Sequence, residues 1–312
     1  MKSRLVSLSL IFCGILLAGG PSLAGESVFP NLEKPPPSTI GPLITDTAVP
    51  IGQGNFSIQP FCFLNITGGR FSPNWRRVSS QGDFYSLQVP VYFTYGPSPN
   101  VDLVLVVPYL HNWARDARLP SSREAGSADF GGLGDTTLYV KYQFQEETAS
   151  RPTCTALAGF GFPTGHHRNL NPSKLRTDLL GTGAYTFTAG LNLSKWYSPV
   201  YLYANLWYTL PIIATVDGVP IHDRDLVTLN LAAEWVLTQQ WALLLEFYHN
   251  WQAGNLLGPK SQQPAQALLG LSVGLEYNMN NHWSFAGGLA VDLAGKNTVY
   301  NYSPILTCKY NF

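Results

Sequence analysis

The stretch that decides the fold is Trp241–Trp251, which reads WALLLEFYHNW. Its apolar residues alternate with a second set that includes Glu246 and Asn250. Because successive side chains of a β-strand point to opposite faces, this period of two predicts a strand with one apolar face. Comparable segments predict about twelve strands, near residues 53–66, 83–96, 100–111, 136–144, 152–163, 181–195, 199–211, 225–238, 241–251, 267–277, 282–294 and 298–312.

The predicted strands are long enough to cross a membrane. An average globular strand has about 5–6 residues, whereas a tilted membrane-spanning strand needs about 9–11. Charged residues make up only 12% of the chain, and a soluble domain averages about 25%. The alternative is a soluble β-sandwich or barrel, which would turn Lys and Glu outward. Here the polar faces carry mostly Gly, Ser, Thr, Asn and Tyr, which suits the interior of a membrane barrel.

The connections between the predicted strands alternate in length. Segments 67–82, 112–133, 164–180, 212–224 and 252–266 are long and polar, and the segments between them are short. Outer-membrane barrels have long external loops and short periplasmic turns. We therefore predict an all-β fold, a transmembrane antiparallel up-and-down β-barrel of about twelve strands formed by residues 51–312, with both termini in the periplasm.

The N-terminus carries a predicted export signal. Lys2 and Arg4 precede an apolar run, and the small residues Ser22 and Ala24 favour cleavage after residue 24. A membrane anchor is the alternative, but the run is shorter than the about 20 residues of a spanning helix. Residues 1–24 are therefore predicted to be a signal peptide, which places the mature chain in the outer membrane of a Gram-negative bacterium.

Residues 25–50 form a predicted Pro-rich periplasmic leader. Proline cannot donate to a sheet ladder, so this segment cannot join a sheet interior. Two alternatives stay open, because the leader can be disordered or can fold back and narrow the periplasmic mouth of the barrel. The six prolines of the leader are Pro30, Pro35, Pro36, Pro37, Pro42 and Pro50.

The C-terminal residue is Phe312, and Tyr310 and Leu306 share its face of the last predicted strand. A terminal Phe preceded by apolar residues at alternate positions resembles the C-terminal signal of outer-membrane proteins. The alternative is a last strand that happens to end in Phe. We predict an assembly signal, and hence the barrel-assembly machinery and outer-membrane lipid as partners.

Charged residues fall on the polar faces of several predicted strands. An unpaired charge away from water is costly, so these side chains should pair or stay hydrated. One interpretation is a structural lattice that holds the barrel in shape, and the other is a polar constriction that filters solutes. The three glutamates lie on consecutive strands and predict an acidic strip that favours cations. The lumen-lining candidates are Glu234, Glu246, Glu276, Lys141, Asp292 and Lys309.

The sequence offers no pattern typical of catalysis, metal binding or nucleic-acid binding. None of the six histidines lies near a serine in a nucleophile-elbow context. Cys62, Cys154 and Cys308 remain after cleavage, an odd number at wide spacings without a metal pattern, and their redox state stays open. A net charge of +0 without basic runs argues against a nucleic-acid partner. We predict no enzyme activity, no metal and no cofactor.

Two short motifs suggest a family. Gly132-Leu133-Gly134-Asp135 leads into a predicted strand, and after a hairpin the next strand ends in Pro163-Thr164-Gly165. This order resembles the outer-membrane family named for the meta-pathway of phenol degradation, although family members often carry Leu where this chain has Phe162. The resemblance implies a transporter of hydrophobic or aromatic compounds and assigns no binding residue.

The sequence therefore predicts an outer-membrane channel that passes a small-molecule solute passively, since no nucleotide or redox motif supplies energy. A twelve-stranded lumen is narrow, and it admits a narrow solute or nothing until a plug moves. One alternative is a structural or surface-interaction barrel without transport. The other is a lipid-modifying barrel enzyme, which requires a carboxylate–His or Ser–His pair meeting in space.

Overall fold

The computed structural model describes residues 40–80, 82–117, 125–212, 214–216, 219–221, 224–257 and 261–312. Twelve strands form its barrel. Their bounds are β1 Phe56–Phe71, β2 Asp83–Ser98, β3 Val101–Ala117, β4 Thr136–Gln145, β5 Thr153–Phe162, β6 Thr186–Tyr197, β7 Val200–Pro211, β8 Leu226–Val236, β9 Trp241–Gln252, β10 Gln266–Asn278, β11 Trp283–Lys296 and β12 Thr298–Asn311. The predicted signal peptide and leader residues 25–39 lie outside the described residues.

The sheet closes on itself. Each strand pairs antiparallel with the next along the chain, and β12 pairs with β1 in a register that places Ser57 opposite Asn311 and Cys62 opposite Leu306. Closure gives each of the twelve wall strands a partner on both sides, so the main-chain hydrogen bonds of the wall are made within the barrel, as a lipid environment requires. The prediction of an antiparallel up-and-down barrel of about twelve strands is confirmed.

The two faces of the wall differ as the alternation predicts. On β9 and β10 the outward side chains of Leu245 and Leu271 are 51% and 38% exposed. The inward side chains of Glu246 and Ser272, one position further along each strand, are 1% exposed. The apolar face therefore points out toward lipid, and the polar face points into the lumen.

Several connections are more structured than the sequence indicates. Segment 112–133 was expected to be a polar loop, but β3 continues to Ala117 and a further strand, Gly126–Leu133, pairs with its upper half. This added strand bonds backbone groups that would otherwise stand unpaired above the wall. The remaining short elements are the strand Arg77–Val78, the hairpins Ala214–Val216 with Val219–Ile221 and Asn255–Leu257 with Ser261–Gln263, and the 3-10 helix Pro172–Lys174.

The long and short connections do not alternate without exception. β11 and β12 are joined through the single residue Asn297, whose φ of 56° lies in the left-handed region that asparagine tolerates. The expected strand start at residue 181 was also wrong, since β6 begins at Thr186. Thr182 instead bonds the side chain of Asp135.

Within the described residues, no helix is long and apolar enough to cross a membrane.

Candidate functional site

The six charged residues proposed for the lumen all lie on inward faces. Five of them are at most 6% exposed, and Lys309 is half-buried. Glu234, Glu246 and Glu276 stand on the neighbouring strands β8, β9 and β10, as expected. Their heights differ, because Glu234 is opposite Leu244 while Glu246 is opposite Ala232. The hydrogen-bond partners of these charged side chains determine whether they are free to bind a solute.

Glu246 binds the chain that precedes the barrel. Its Oε1 accepts a hydrogen bond from the Leu43 N–H at 2.7 Å, and its Oε2 accepts from Ile44 at 3.0 Å and Thr45 at 2.8 Å. Three successive N–H groups thus converge on one carboxylate. Hydrogen bonds to a charged acceptor contribute about 1.5–3 kcal/mol each, so this contact is a strong anchor.

The segment 40–51 follows the inner wall, and we call it the lumen segment. Glu276 holds its start, since the Ile40 N–H donates to Oε1 at 2.8 Å. Asp102 holds its end, since the Ile51 N–H donates to Oδ1 at 3.1 Å. These two carboxylates lie on β10 and β3, so the segment passes from one side of the barrel to the other. Glu276 and Asp102 both lie near strand ends that are joined by short turns, which face the periplasm in outer-membrane barrels.

Asp46 anchors the middle of the lumen segment. Its carboxylate lies 2.9 Å from Lys141 Nζ and accepts from Asn192 Nδ2 at 2.8 Å. Asn205 grips the same residue through its main chain, because the Asp46 N–H donates to Asn205 Oδ1 at 2.7 Å and Asn205 Nδ2 donates to the Asp46 carbonyl at 2.8 Å. Further along, the Ala48 N–H donates to Ser194 Oγ at 2.9 Å. Lys141 is thus part of an ion pair inside the lumen.

Apolar contacts hold the first half of the lumen segment. Leu43 is 3% exposed and lies over Gly274 and Gly288, which face each other on β10 and β11. A Cβ at either glycine would come within 2.7 Å or 2.6 Å of Leu43 Cδ1, so only glycine leaves room for this side chain. The inward cluster around it contains Ile40, Leu43, Phe61, Leu244, Tyr248, Ala286, Ala290 and Ile305.

The other lumen candidates have separate partners. Glu234 Oε2 accepts from the Tyr203 hydroxyl at 2.6 Å. Asp292 accepts from the Tyr248 hydroxyl and the Asn301 N–H, both at 2.8 Å. Lys309 lies on the inward face of β12. The structure thus brings the six residues into one lumen, but two of the three glutamates bind the lumen segment rather than face open space.

The two sequence motifs meet in space at the opposite end of the barrel. Asp135 Oδ1 accepts from the Gly165 N–H at 2.9 Å, and Oδ2 accepts from the Thr182 N–H at 2.7 Å and hydroxyl at 2.8 Å. Thr164 Oγ1 donates to the Gly134 carbonyl at 2.7 Å and accepts from the Thr136 N–H at 2.9 Å. Together these bonds form a clasp that ties the loop 163–185 to the start of β4.

Two glycines of this clasp lie in close contact with neighbouring residues, and at Gly165 the neighbour is backbone, which leaves no room for a side chain. A Cβ on Gly165 would lie 2.7 Å from the Leu180 carbonyl oxygen, and one on Gly134 would lie 2.3 Å from Leu110 Cδ1. Gly132 packs close to Leu180, whereas Leu133 points outward and is 58% exposed. Pro163 directly follows β5. The motif therefore shapes the loop.

A sequence profile of the family described as "Putative MetA-pathway of phenol degradation" matches residues 65–303, which is most of the chain. The chain belongs to this family. The resemblance inferred from the two motifs is thereby confirmed. No curated protein matches the chain.

Solved structures are similar to this family member to different degrees. The COG4313 outer membrane channel from Pseudomonas putida F1 superposes with a TM-score of 0.67 at 16% identity, over 84% of this chain and 97% of that one. The translocator domain of the autotransporter NalP from Neisseria meningitidis gives 0.48 at 12% identity, over 84% and 89%. The P. putida toluene transporter TodX gives 0.42 at 10% identity, over 86% and 92%. The first of these shows the fold of an outer-membrane channel.

The proposed assembly-signal residues lie together beside the barrel closure. Leu306 and Phe312 are 64% and 61% exposed, and the Phe312 ring stands 4.7 Å from that of Tyr310. The Phe312 N–H donates to the Phe56 carbonyl at 2.9 Å, which joins the C-terminus to the start of β1. Their role as a signal stays a prediction.

Cys62, Cys154 and Cys308 are free thiols in the structure. Among the described residues, no group of three or more His, Cys, Asp or Glu side chains is placed to hold a metal ion.

Sequence reasoning missed Asp46, Asn192 and Asn205, which form the central anchor of the lumen segment. Asn192 and Asn205 point inward from their strands, and polar inward side chains are common on all the predicted strands, so these two did not stand out. Asp46 lies in a segment without periodicity. The sequence features that could have predicted this anchor are the asparagines on the inward strand faces and a Pro-rich leader able to fold back toward them.

Proposed function

We propose that this protein is an outer-membrane channel that passes small hydrophobic or aromatic solutes passively, and that the lumen segment gates it. The observation that carries the proposal is a chain segment inside the lumen that follows the inner wall from β10 to β3 and is held there by noncovalent bonds. Such bonds can release and re-form, whereas a solid core of wall side chains could not open. The lumen charges Glu246, Glu276 and Lys141 then act as latches for the segment.

The membership in the phenol-degradation family supports the choice of solute. The COG4313 outer membrane channel, which shares the fold, supports the channel function. We also propose outer-membrane lipid and the assembly machinery as partners, and a signal peptide in residues 1–24.

The lipid-modifying enzyme is the weaker alternative. His111 Nε2 lies 3.3 Å from Asp129 Oδ2 on the outward side of β3, so a carboxylate–His pair does meet in space. Asp129 is 62% exposed, and in the described part of the chain no serine or cysteine bonds to His111. Without a nucleophile beside the base, the pair lacks the geometry that acyl transfer requires.

Uptake by whole cells tests the proposed function. Gram-negative cells with and without the protein are given radiolabelled toluene or phenol at low concentration, with a sugar of similar mass as the control solute. We expect a faster initial rate for the aromatic solutes, no change for the sugar and no effect of an uncoupler, because transport is passive. Equal rates with and without the protein would favour the structural or surface-interaction barrel instead.

A further inference from the structure

A cleft of about 450 Å³ lies inside the upper half of the barrel, between the wall and the loop that the clasp holds. Its wall side is formed by Gln88 and Pro90 on β2 and by Pro108 and Leu110 on β3. The strand register places Pro90 opposite Pro108 and Gln88 opposite Leu110. Val104 and Val106 are buried on the same face of β3, so these four residues point into the lumen.

The loop supplies the other side of the cleft through residues 179–182. Leu180 is 5% exposed, and its N–H donates to the His166 carbonyl at 2.8 Å. Asn112, next inward on β3 after Leu110, donates to the Thr177 carbonyl at 3.0 Å. Asp135 and Asn112 therefore hold the loop to the wall at two places, and the bond between Leu180 and His166 joins two parts of the loop itself. The cleft is a formed feature of the fold.

The chemistry of the cleft is mainly apolar with one available amide. Two prolines side by side offer no N–H donor, and Leu110 and Leu180 add apolar surface. Asp135 is already occupied by three donors. Gln88 is different, because within the described residues its side chain has no hydrogen-bond partner, so both its donor and its acceptor are available to a solute.

Pockets of about 300–1,000 Å³ with apolar walls and few polar groups are typical of small-molecule sites. We propose that this cleft is a solute-binding site on the external side of the channel, and that it selects a single aromatic ring bearing a hydroxyl group. The ring packs against Pro90, Pro108 and Leu180, and the hydroxyl bonds the Gln88 amide. This inference rests on the proposed channel function and names the solute class that the channel prefers.

Binding of phenol and toluene to the purified mature protein in nanodiscs tests the site, with empty nanodiscs as the baseline for partitioning. In Gln88→Leu the phenol hydroxyl loses its partner, while toluene never had one. We expect the Kd for phenol to rise about three- to tenfold and the Kd for toluene to stay within about twofold. Thr94→Leu is the matched control, since Thr94 is a polar inward residue of β2 outside the cleft, and it should leave both values unchanged.

An unchanged phenol Kd in Gln88→Leu, an equal change for both solutes, or no saturable binding of phenol to the wild type would each overturn the proposal. If Gln88→Leu does not fold, Gln88→Met keeps the side-chain length, removes the amide and gives the same comparison. Whole-cell uptake separates this failure from that of the channel. If the protein transports aromatic solutes but the Gln88 variant binds phenol as the wild type does, only the proposed binding site is refuted. If phenol binding depends on Gln88 but no transport is seen, only the channel function is refuted.

Discussion

Glu246 is the residue on which the lumen segment depends most, since three main-chain N–H groups share its carboxylate. In Glu246→Gln one oxygen becomes an NH₂ group that faces N–H donors, so at least one strong hydrogen bond is lost. Amide hydrogen exchange in residues 43–45, read by mass spectrometry, should become about tenfold faster or more, which corresponds to about 1.4 kcal/mol.

Glu234→Gln is the matched control for this measurement. Glu234 lies on the adjacent strand and bonds the Tyr203 hydroxyl rather than the lumen segment. Exchange in residues 43–45 should therefore stay at the wild-type rate. Equal exchange in the Glu246 and Glu234 variants would show that the carboxylate of Glu246 does not hold the segment.

Leu245 tests the outward face of the wall at the same scale. It is 51% exposed in the middle of β9, where the surrounding solvent is lipid. An arginine at mid-bilayer depth on the lipid face costs about 2–4 kcal/mol, so Leu245→Arg should lower the free energy of unfolding by that amount in a denaturant titration in vesicles. Leu245→Met, which stays apolar, should unfold as the wild type does. A similar stability of the two variants would place Leu245 away from lipid.

Strands are the scale at which the sequence was most informative. Alternation is a local property, so the twelve wall strands and their faces follow from residues next to one another. The strand Gly126–Leu133 was missed because its sequence, with three glycines and a leucine at the end, shows no alternation of apolar and polar residues. It pairs with the extended end of β3. The clasp was seen as a motif, but its geometry depends on residues 47 positions apart, such as Asp135 and Thr182.

The last strand carries the prediction about assembly. Deleting Phe312 removes its bond to the Phe56 carbonyl and its ring contact with Tyr310 at the point where the barrel closes. We expect a smaller folded fraction in the outer membrane and more degradation in the periplasm, measured by heat-modifiable migration on gels. Phe312→Tyr keeps the aromatic ring and should assemble normally. If the deletion assembles as well as the wild type, the C-terminus is not a signal.

The clasped loop carries a second prediction at this scale. Asp135→Asn weakens up to three hydrogen bonds to Gly165 and Thr182, so the loop 163–185 should be cut faster by external trypsin, which cleaves after Arg168, Lys174 and Arg176. Thr182→Val removes the hydroxyl bonds to Asp135 and to the Ala184 backbone but keeps the N–H bond to Asp135, so its effect should be smaller. The same cleavage rate in all three proteins would mean that the clasp does not hold the loop.

The barrel holds residues 40–51 along the inner wall of its lumen. The sequence allowed two fates for the leader, and it could not place residues 40–51, because their partners lie 51 to 236 positions away. Contacts between residues so far apart in the chain produce no periodic pattern or motif in the sequence. The charged lumen residues were recognised because charged side chains are rare on the predicted strands. Only the three-dimensional structure shows that some of them bind backbone N–H groups.

The most direct test of the central claim is to lock the lumen segment to the wall. The Ala48 N–H lies 2.9 Å from Ser194 Oγ, so these two residues are in contact. Ala48→Cys and Ser194→Cys are introduced together to cross-link them, with Cys62, Cys154 and Cys308 replaced by alanine, and titration of free thiols shows that the disulfide has formed. Uptake of radiolabelled toluene is then measured in oxidised cells and after a reductant is added. The account predicts uptake at the background rate when the disulfide is closed and at the rate of the cysteine-free protein when it is reduced. Equally fast uptake in both states would show that solutes pass without movement of the segment, and would contradict the gate.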